Sequence, residues 1–127
     1  MRNYRDLEVW KKAHTLTLHL YKVPRDFPRD EIYGLTAQLR RASASIGANL
    51  AEGCGRQTDN EMARFLRITL GSASELDYHL LLSRDLGLLG KEDYEYSAKE
   101  LTALRKMLRS FLAAIEKTQL KAKAAGA

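Results

Sequence analysis

The sequence predicts an all-α protein folded as an antiparallel up-down-up-down four-helix bundle. Three observations lead there. Both prolines, Pro24 and Pro28, fall in one short stretch, so the rest of the chain is free of the strongest helix breaker. Apolar residues recur every three or four positions in four separate segments. The segments between them are short, which makes consecutive helices antiparallel neighbours.

The first helix is predicted over residues 6–23, with Asp6 as its N-cap and Pro24 as its stop. It carries two apolar stripes. Leu7, Trp10, His14, Thr17 and Tyr21 form one; Val9, Leu16, Leu20 and Val23 form the other. One core needs only one stripe, so the second points to a further contact, against another subunit. After "PRDFPRDEIYG", the second helix is predicted over residues 32–52, with Leu35, Leu39, Ala42, Ile46, Asn49 and Leu50 inward. Its middle, "RASASIGANLAEG", has little bulk apart from Ile46 and Leu50. Ala42, Ser43, Ser45, Gly47 and Ala48 are the signature of a helix that neighbours approach closely. Gly53 and Gly55 occupy positions where helix ends favour positive φ.

The third helix is predicted over residues 59–86. Thr58 and Glu61 have capping-box spacing. Met62, Leu66, Thr69, Ala73, Leu76 and Leu80 then make a heptad seam, widened by Phe65 and Ile68. "GLLG" turns the chain into a fourth helix over residues 91–117, whose seam is Tyr94, Ser97, Leu101, Leu104, Leu108, Phe111 and Ile115. Acidic residues open that helix and basic ones close it, as its dipole favours. Residues 118–127 are expected to fray.

At 127 residues, the chain is expected to form a single domain over residues 1–127. Its hydrophobic fraction of 45% and charged fraction of 29% are those of a folded globular protein. The lone cysteine, Cys54, rules out an intrachain disulfide. With no signal-like N-terminus and no apolar run of membrane-spanning length, the expected compartment is the cytoplasm, with no membrane partner.

No motif for catalysis, metal or cofactor emerges. "EGCGR" joins two helices, whereas a dinucleotide or phosphate loop needs a preceding strand or a Gly-Lys-Ser/Thr ending. His14, His19, Cys54 and His79 are scattered, and only one Glu–His pair, Glu75 with His79, has helical spacing. Cys54 has Arg56 nearby to lower its pKa but no base. The expectation is a non-enzymatic protein without cofactor. Gln38, Arg41, Asn49, Glu52 and Glu75 are expected to form a polar network that fixes helix register.

The net charge of +5 and the pI near 9.4 permit an anionic partner. Arg40, Arg56, Arg64 and Arg67 cluster around the second helix and the start of the third. Arg105, Lys106 and Arg109 cluster on the fourth. These seven are the candidate nucleic-acid contacts. With no groove-reading motif and no stacking-platform pattern, binding should have little sequence specificity.

Longer stretches carry a resemblance. "YRDLEVWKKAHTL", "FPRDEIYGLTAQLRRASASIGANLAEGCGR", "EMARFLRITLGSASELDYHLLLSRDLGLL" and "ALRKMLRSFLAAI" together resemble the bacterial four-helix-bundle proteins known as 23S rRNA intervening-sequence proteins. The likeness covers residues 4–117. It is most specific at Gln38, Arg41, Ala42, Ser45, Asn49, Ala51, Glu52 and Gly53, with Gly71 to Leu76 as a second match. Cys54 and Gly55 stand where an aromatic-glycine pair is common. The resemblance implies a ring-like homopentamer. It extends to the accessory variability determinant of diversity-generating retroelements, a basic pentamer that works with a reverse transcriptase and binds nucleic acid. A reverse transcriptase partner would have to be encoded nearby. The functional expectation is a homo-oligomer that binds RNA or DNA through repeated basic patches; the alternative is a protein-interaction scaffold without nucleic-acid affinity.

Overall fold

The computed structural model describes residues 2–126. Four helices carry the fold: α1 (Glu8–Lys22), α2 (Leu35–Cys54), α3 (Asp59–Asp85) and α4 (Lys91–Gly126). Short 3-10 turns precede α1 and link it to α2, and no strand occurs among the described residues.

Cross-helix contacts give the topology directly. Trp10 lies against Gly47 and Thr17 bonds the Ser43 carbonyl, so α1 and α2 run in opposite directions. Ser45 meets Ser72 while Gly53 meets Met62 and Phe65, which makes α2 and α3 antiparallel. Arg67 reaches Glu116 while Arg105 reaches Asp77, and α3 and α4 are antiparallel too. Lys12 with Glu100 and His19 with Asp93 close the circle from α1 to α4. The result is the expected up-down-up-down four-helix bundle.

The core follows the seams read from periodicity. All six seam positions of α3 are buried, as are Leu101, Leu104, Leu108 and Ile115 of α4. Leu35, Leu39, Ala42, Ile46 and Leu50 of α2 and Val9, Ala13, Leu16 and Leu20 of α1 complete it. Each fully buried leucine contributes about 1.5–3 kcal/mol relative to an exposed one. Thr69 sits in this apolar seam without penalty because its hydroxyl donates to the Phe65 carbonyl at 2.7 Å.

Local chemistry sets the helix ends, and several differ from expectation. Asp6 does not cap α1. It belongs to a 3-10 turn, Tyr4–Asp6, which Asn3 caps by accepting from the Arg5 N–H. The helix starts two residues later than expected, at Glu8, behind an extended Leu7. The second helix starts at Leu35 rather than near 32, behind a non-helical Gly34, and Glu31 Oε1 accepts the Leu35 N–H at 3.1 Å. Gly34 leaves room for that carboxylate, which a Cβ there would strike. Thr58 caps α3 as expected, accepting from the Glu61 N–H at 3.2 Å. At the end of α3, Gly87 adopts φ +77°, the Gly87 N–H donates to Arg84 O, and the Leu88 N–H donates to Ser83 O. This pair of bonds is a Schellman motif.

The α2 exit corrects a sequence expectation. Neither Gly53 nor Gly55 has positive φ; Gly53 lies within the helix and Gly55 has φ −80°. Gly53 is required by packing. A Cβ there would stand 2.9 Å from Phe65 Cβ and 3.0 Å from Met62 Sδ. The tail is a second correction. Instead of fraying from 118, α4 runs to Gly126, since the Lys/Ala-rich segment favours helix and holds no breaker before that glycine. Residue 127 lies outside the described residues.

The packing at Gly53 gives a stability test. Gly53→Ala should gain helix propensity yet destabilise the bundle by about 1–3 kcal/mol through overpacking against Phe65 and Met62. Chemical denaturation read by circular dichroism would check this, and a more stable variant would refute it.

Candidate nucleic-acid interface

The seven basic residues singled out from sequence do not form the two clusters expected. Arg40 belongs to the α1–α2 side. Its guanidinium lies over the Tyr21 ring, 5.4 Å from the centroid, and donates to the Tyr21 carbonyl at 2.9 Å. Arg56 and Arg64 converge on one aromatic at the α2–α3 corner, 5.1 and 5.4 Å from the Phe65 ring centroid. Arg56 also pairs with Glu52 at 2.9 Å. These contacts hold both arginines at the surface without neutralising Arg64.

Of the remaining four, Arg67 and Arg105 lie where α3 meets α4, and Lys106 stands on the outer face of α4 beside Lys99 and Thr102. Arg67 approaches Glu116 at 3.9 Å. Arg105 bridges the helices, donating to Ser74 Oγ at 3.1 Å and pairing with Asp77 at 3.6 Å. Its side chain is only 25% exposed, so this pair is better shielded than its neighbours. Lys106 and Arg109 are exposed and have no ion-pair partner among the described residues. Arg64 sits one turn before Arg67, and Arg109 one turn after Arg105. The outer surface of α3 and α4 therefore carries Arg64, Arg67, Arg105, Lys106 and Arg109, with Arg56 beside Arg64 at the Phe65 ring and Arg40 on another side.

The polar set around Asn49 also divides. Asn49 Nδ2 donates to the Ser45 carbonyl at 2.8 Å and to Ser45 Oγ at 3.0 Å, and Ser45 Oγ meets Ser72 Oγ at 2.8 Å. This half-buried relay ties α2 to α3. Arg41 bonds Gln38 and pairs with Glu75 at 3.6 Å, and Glu75 lies 3.4 Å from His79. Glu52 belongs with Arg56 instead. The inter-helix register decides these pairings, so Ser45 and Ser72, which hold the link, were not in the sequence-based set. No group of three or more His, Cys, Asp or Glu side chains among the described residues is placed to hold a metal ion.

The outer stripe of α1 lines a groove against α2. Tyr4 packs edge-on against Trp10, and Trp10 stacks on His14 at 4.8 Å with 10° between planes. These rings face Ala44, Gly47, Ala48 and Ala51. Gly47 lets Trp10 lie close, since a Cβ would stand 3.3 Å from Trp10 Nε1 and the ring would have to shift by a few tenths of an ångström. Trp10 and Thr17 are half-buried, while His14 and Tyr21 are exposed. The cyclic order of the helices puts this groove on the opposite side of the bundle from α3–α4.

Cys54 is buried at the end of α2. Burial raises its thiol pKa, only partly offset by Arg2. Arg2, rather than the Arg56 expected from sequence, acts on it electrostatically. Its backbone N–H also donates to the Cys54 carbonyl at 3.1 Å.

Comparisons agree with this architecture. The family model described as 23S rRNA-intervening sequence protein matches residues 5–110. A solved structure from the S23 ribosomal protein family of Bacteroides thetaiotaomicron VPI-5482, a protein with unknown function, superposes with a TM-score of 0.74. It shares 26% identity, over 82% of this chain and 97% of that one. No curated protein matches the chain.

The Cys54 environment predicts a slow thiol. A raised pKa lowers the thiolate fraction at pH 8, and burial blocks access. An aromatic disulfide reagent should therefore react slowly with the native protein and rapidly in guanidinium chloride. Equal rates in both would contradict the packing at this corner.

Proposed function

The chain belongs to the 23S rRNA-intervening sequence protein family, and from that premise we propose that it is a non-enzymatic, ring-forming homo-oligomer that binds RNA or DNA with little sequence specificity. The carrying observation is the cationic outer surface of α3 and α4. Arg64, Lys106 and Arg109 lack ion-pair partners among the described residues, while Arg67 and Arg105 meet only Glu116 and Asp77. A single patch of this size is a weak polyanion site. Repeated around a ring, it becomes a strong field that exchanges counterions with a phosphate backbone. No helix among the described residues is long and apolar enough to cross a membrane, and we place the assembly in the cytoplasm.

The groove between α1 and α2 is the surface we assign to subunit contact. An odd-numbered ring is heterologous, so a groove on one subunit receives a different surface of the next. Small side chains on α2 let that surface come close, and the Tyr4–Trp10–His14 rings supply apolar area. The groove itself lies on the other side of the bundle from Arg67 and Arg105. The alternative reading, a scaffold for protein partners, draws on the same groove.

Two tests separate these readings. Arg64→Glu combined with Arg67→Glu should weaken binding to a short structured RNA about tenfold or more at low salt, with oligomer size unchanged. Sizing chromatography with light scattering, with and without RNA at two salt concentrations, reads both quantities. A wild-type oligomer indifferent to RNA at low salt would leave the scaffold reading. In the second test, Ala48→Glu places a charge in the groove without touching the core. It should reduce the assembly to smaller species while preserving helicity, and an unchanged oligomer would remove the groove from the interface.

A further inference from the structure

The α3–α4 side has a feature that charge alone does not explain. Arg64, Arg67, Gly71, Ser74 and Tyr78 follow one another at steps of three and four along the outside of α3. The line covers about 21 Å of helix. Cations occupy one end and an aromatic ring the other. Tyr78 is 57% exposed, an unusual position for a large aromatic on a helix whose apolar seam is already filled. Its ring is tilted against His79 at 5.9 Å, which leaves the rest of the ring toward solvent.

Between the two ends the surface is low. Gly71 has no side chain, and a Cβ built there meets nothing within 4 Å. Ser74 is held down by its bond to Arg105. Alongside, Arg105 and Arg109 flank the same stretch from α4, one turn apart. Among the described residues, the carboxylates paired into this face are Asp77 and Glu116, each engaged by an arginine. A flat floor bordered by guanidinium groups and ending in a free ring suits a ligand with an anionic backbone and an unpaired planar group.

We propose that this face seats single-stranded nucleic acid, with one unpaired base stacked on Tyr78 and the backbone passing over Gly71 between Arg67 and Arg109. The proposal rests on the nucleic-acid reading above and narrows it to strand state. A duplex would gain from the arginines but not from the ring, because its bases are stacked on each other and no element projects from this face into a groove. Stacking on an aromatic side chain tolerates any base, consistent with low sequence specificity.

The test uses the full-length protein and fluorescence anisotropy. The probes are a labelled uridine oligonucleotide of about 12 nucleotides and an RNA duplex of the same length. Tyr78→Ala should weaken single-strand binding about fivefold or more while leaving duplex binding and the salt slope unchanged. Tyr78→Phe should retain wild-type affinity, because the ring stacks and the hydroxyl does not. Arg109→Gln should weaken both probes and flatten the salt dependence. Circular dichroism would verify that each surface variant keeps its helicity. Salt-sensitive wild-type binding with no loss in Tyr78→Ala, or equal losses on both probes, overturns this proposal and spares the broader reading. Wild-type protein that binds neither probe at low salt overturns both.

Discussion

The close approach of α2 to α3 sets the geometry from which the other surfaces follow. It is fixed at two levels. Near the α2 exit, the absent side chain of Gly53 lets the backbone rest against Met62 and Phe65. Two turns back, the Asn49–Ser45–Ser72 relay satisfies polar groups that the approach half-buries. Volume permits the approach and hydrogen bonding fixes its register. With α3 seated, Phe65 is presented at the corner where Arg56 and Arg64 converge. The heptad seam of α3 then meets α4, and the cationic side is assembled as a consequence of core packing.

The α1–α4 contact carries polar pairs along its length. Lys12–Glu100 at 2.6 Å and His19–Asp93 at 3.4 Å lie along this seam, and Tyr96 packs edge-on against His19. Partly exposed pairs of this kind contribute little each, typically under about 1 kcal/mol. Holding α1 in place is therefore mostly the work of Val9, Ala13, Leu16 and Leu20. These leucines are as fully buried as those of α3. The polar pairs act on alignment, since a one-turn slip of α1 would separate both of them at once.

The seams were legible in the sequence because burial imposes a period on one chain segment, and a segment can be read by itself. Met62 through Leu80 and Leu101 through Ile115 needed no partner to be recognised. Thr58 was legible for a similar reason, since its cap is local. Arginine pairing was not, because it depends on which residues of two helices stand level, and only packed side chains decide that. Arg40 near Arg41 in sequence serves a different face, whereas Arg105 and Ser74, 31 residues apart, share one. Gly53 was misread for the opposite reason. Its place near a helix end suggested a backbone requirement, when the requirement came from a residue on another helix. The groove between α1 and α2 was legible in part: the α1 stripe and the small residues of α2 could each be read as contact surfaces, but that Trp10 meets Gly47 and Thr17 meets Ser43 depends on how the two helices pack.

The Schellman turn at Gly87 has a bearing on how the chain reaches this fold. The α2–α3 and α3–α4 connections are only a few residues long, so two of the three sequential helix pairs form with little loop closure. Bundles rich in such local pairings reach the native state in microseconds to milliseconds. The contact that closes the bundle, α1 with α4, joins residues as far apart as Lys12 and Glu100. Closure of α1 against α4 therefore carries the largest loop-closure cost among the helix pairs. During synthesis from the N-terminus, α1 emerges well before the helix that completes its shelter, and its Trp10-bearing stripe meets solvent, or a neighbouring nascent chain, in the interval.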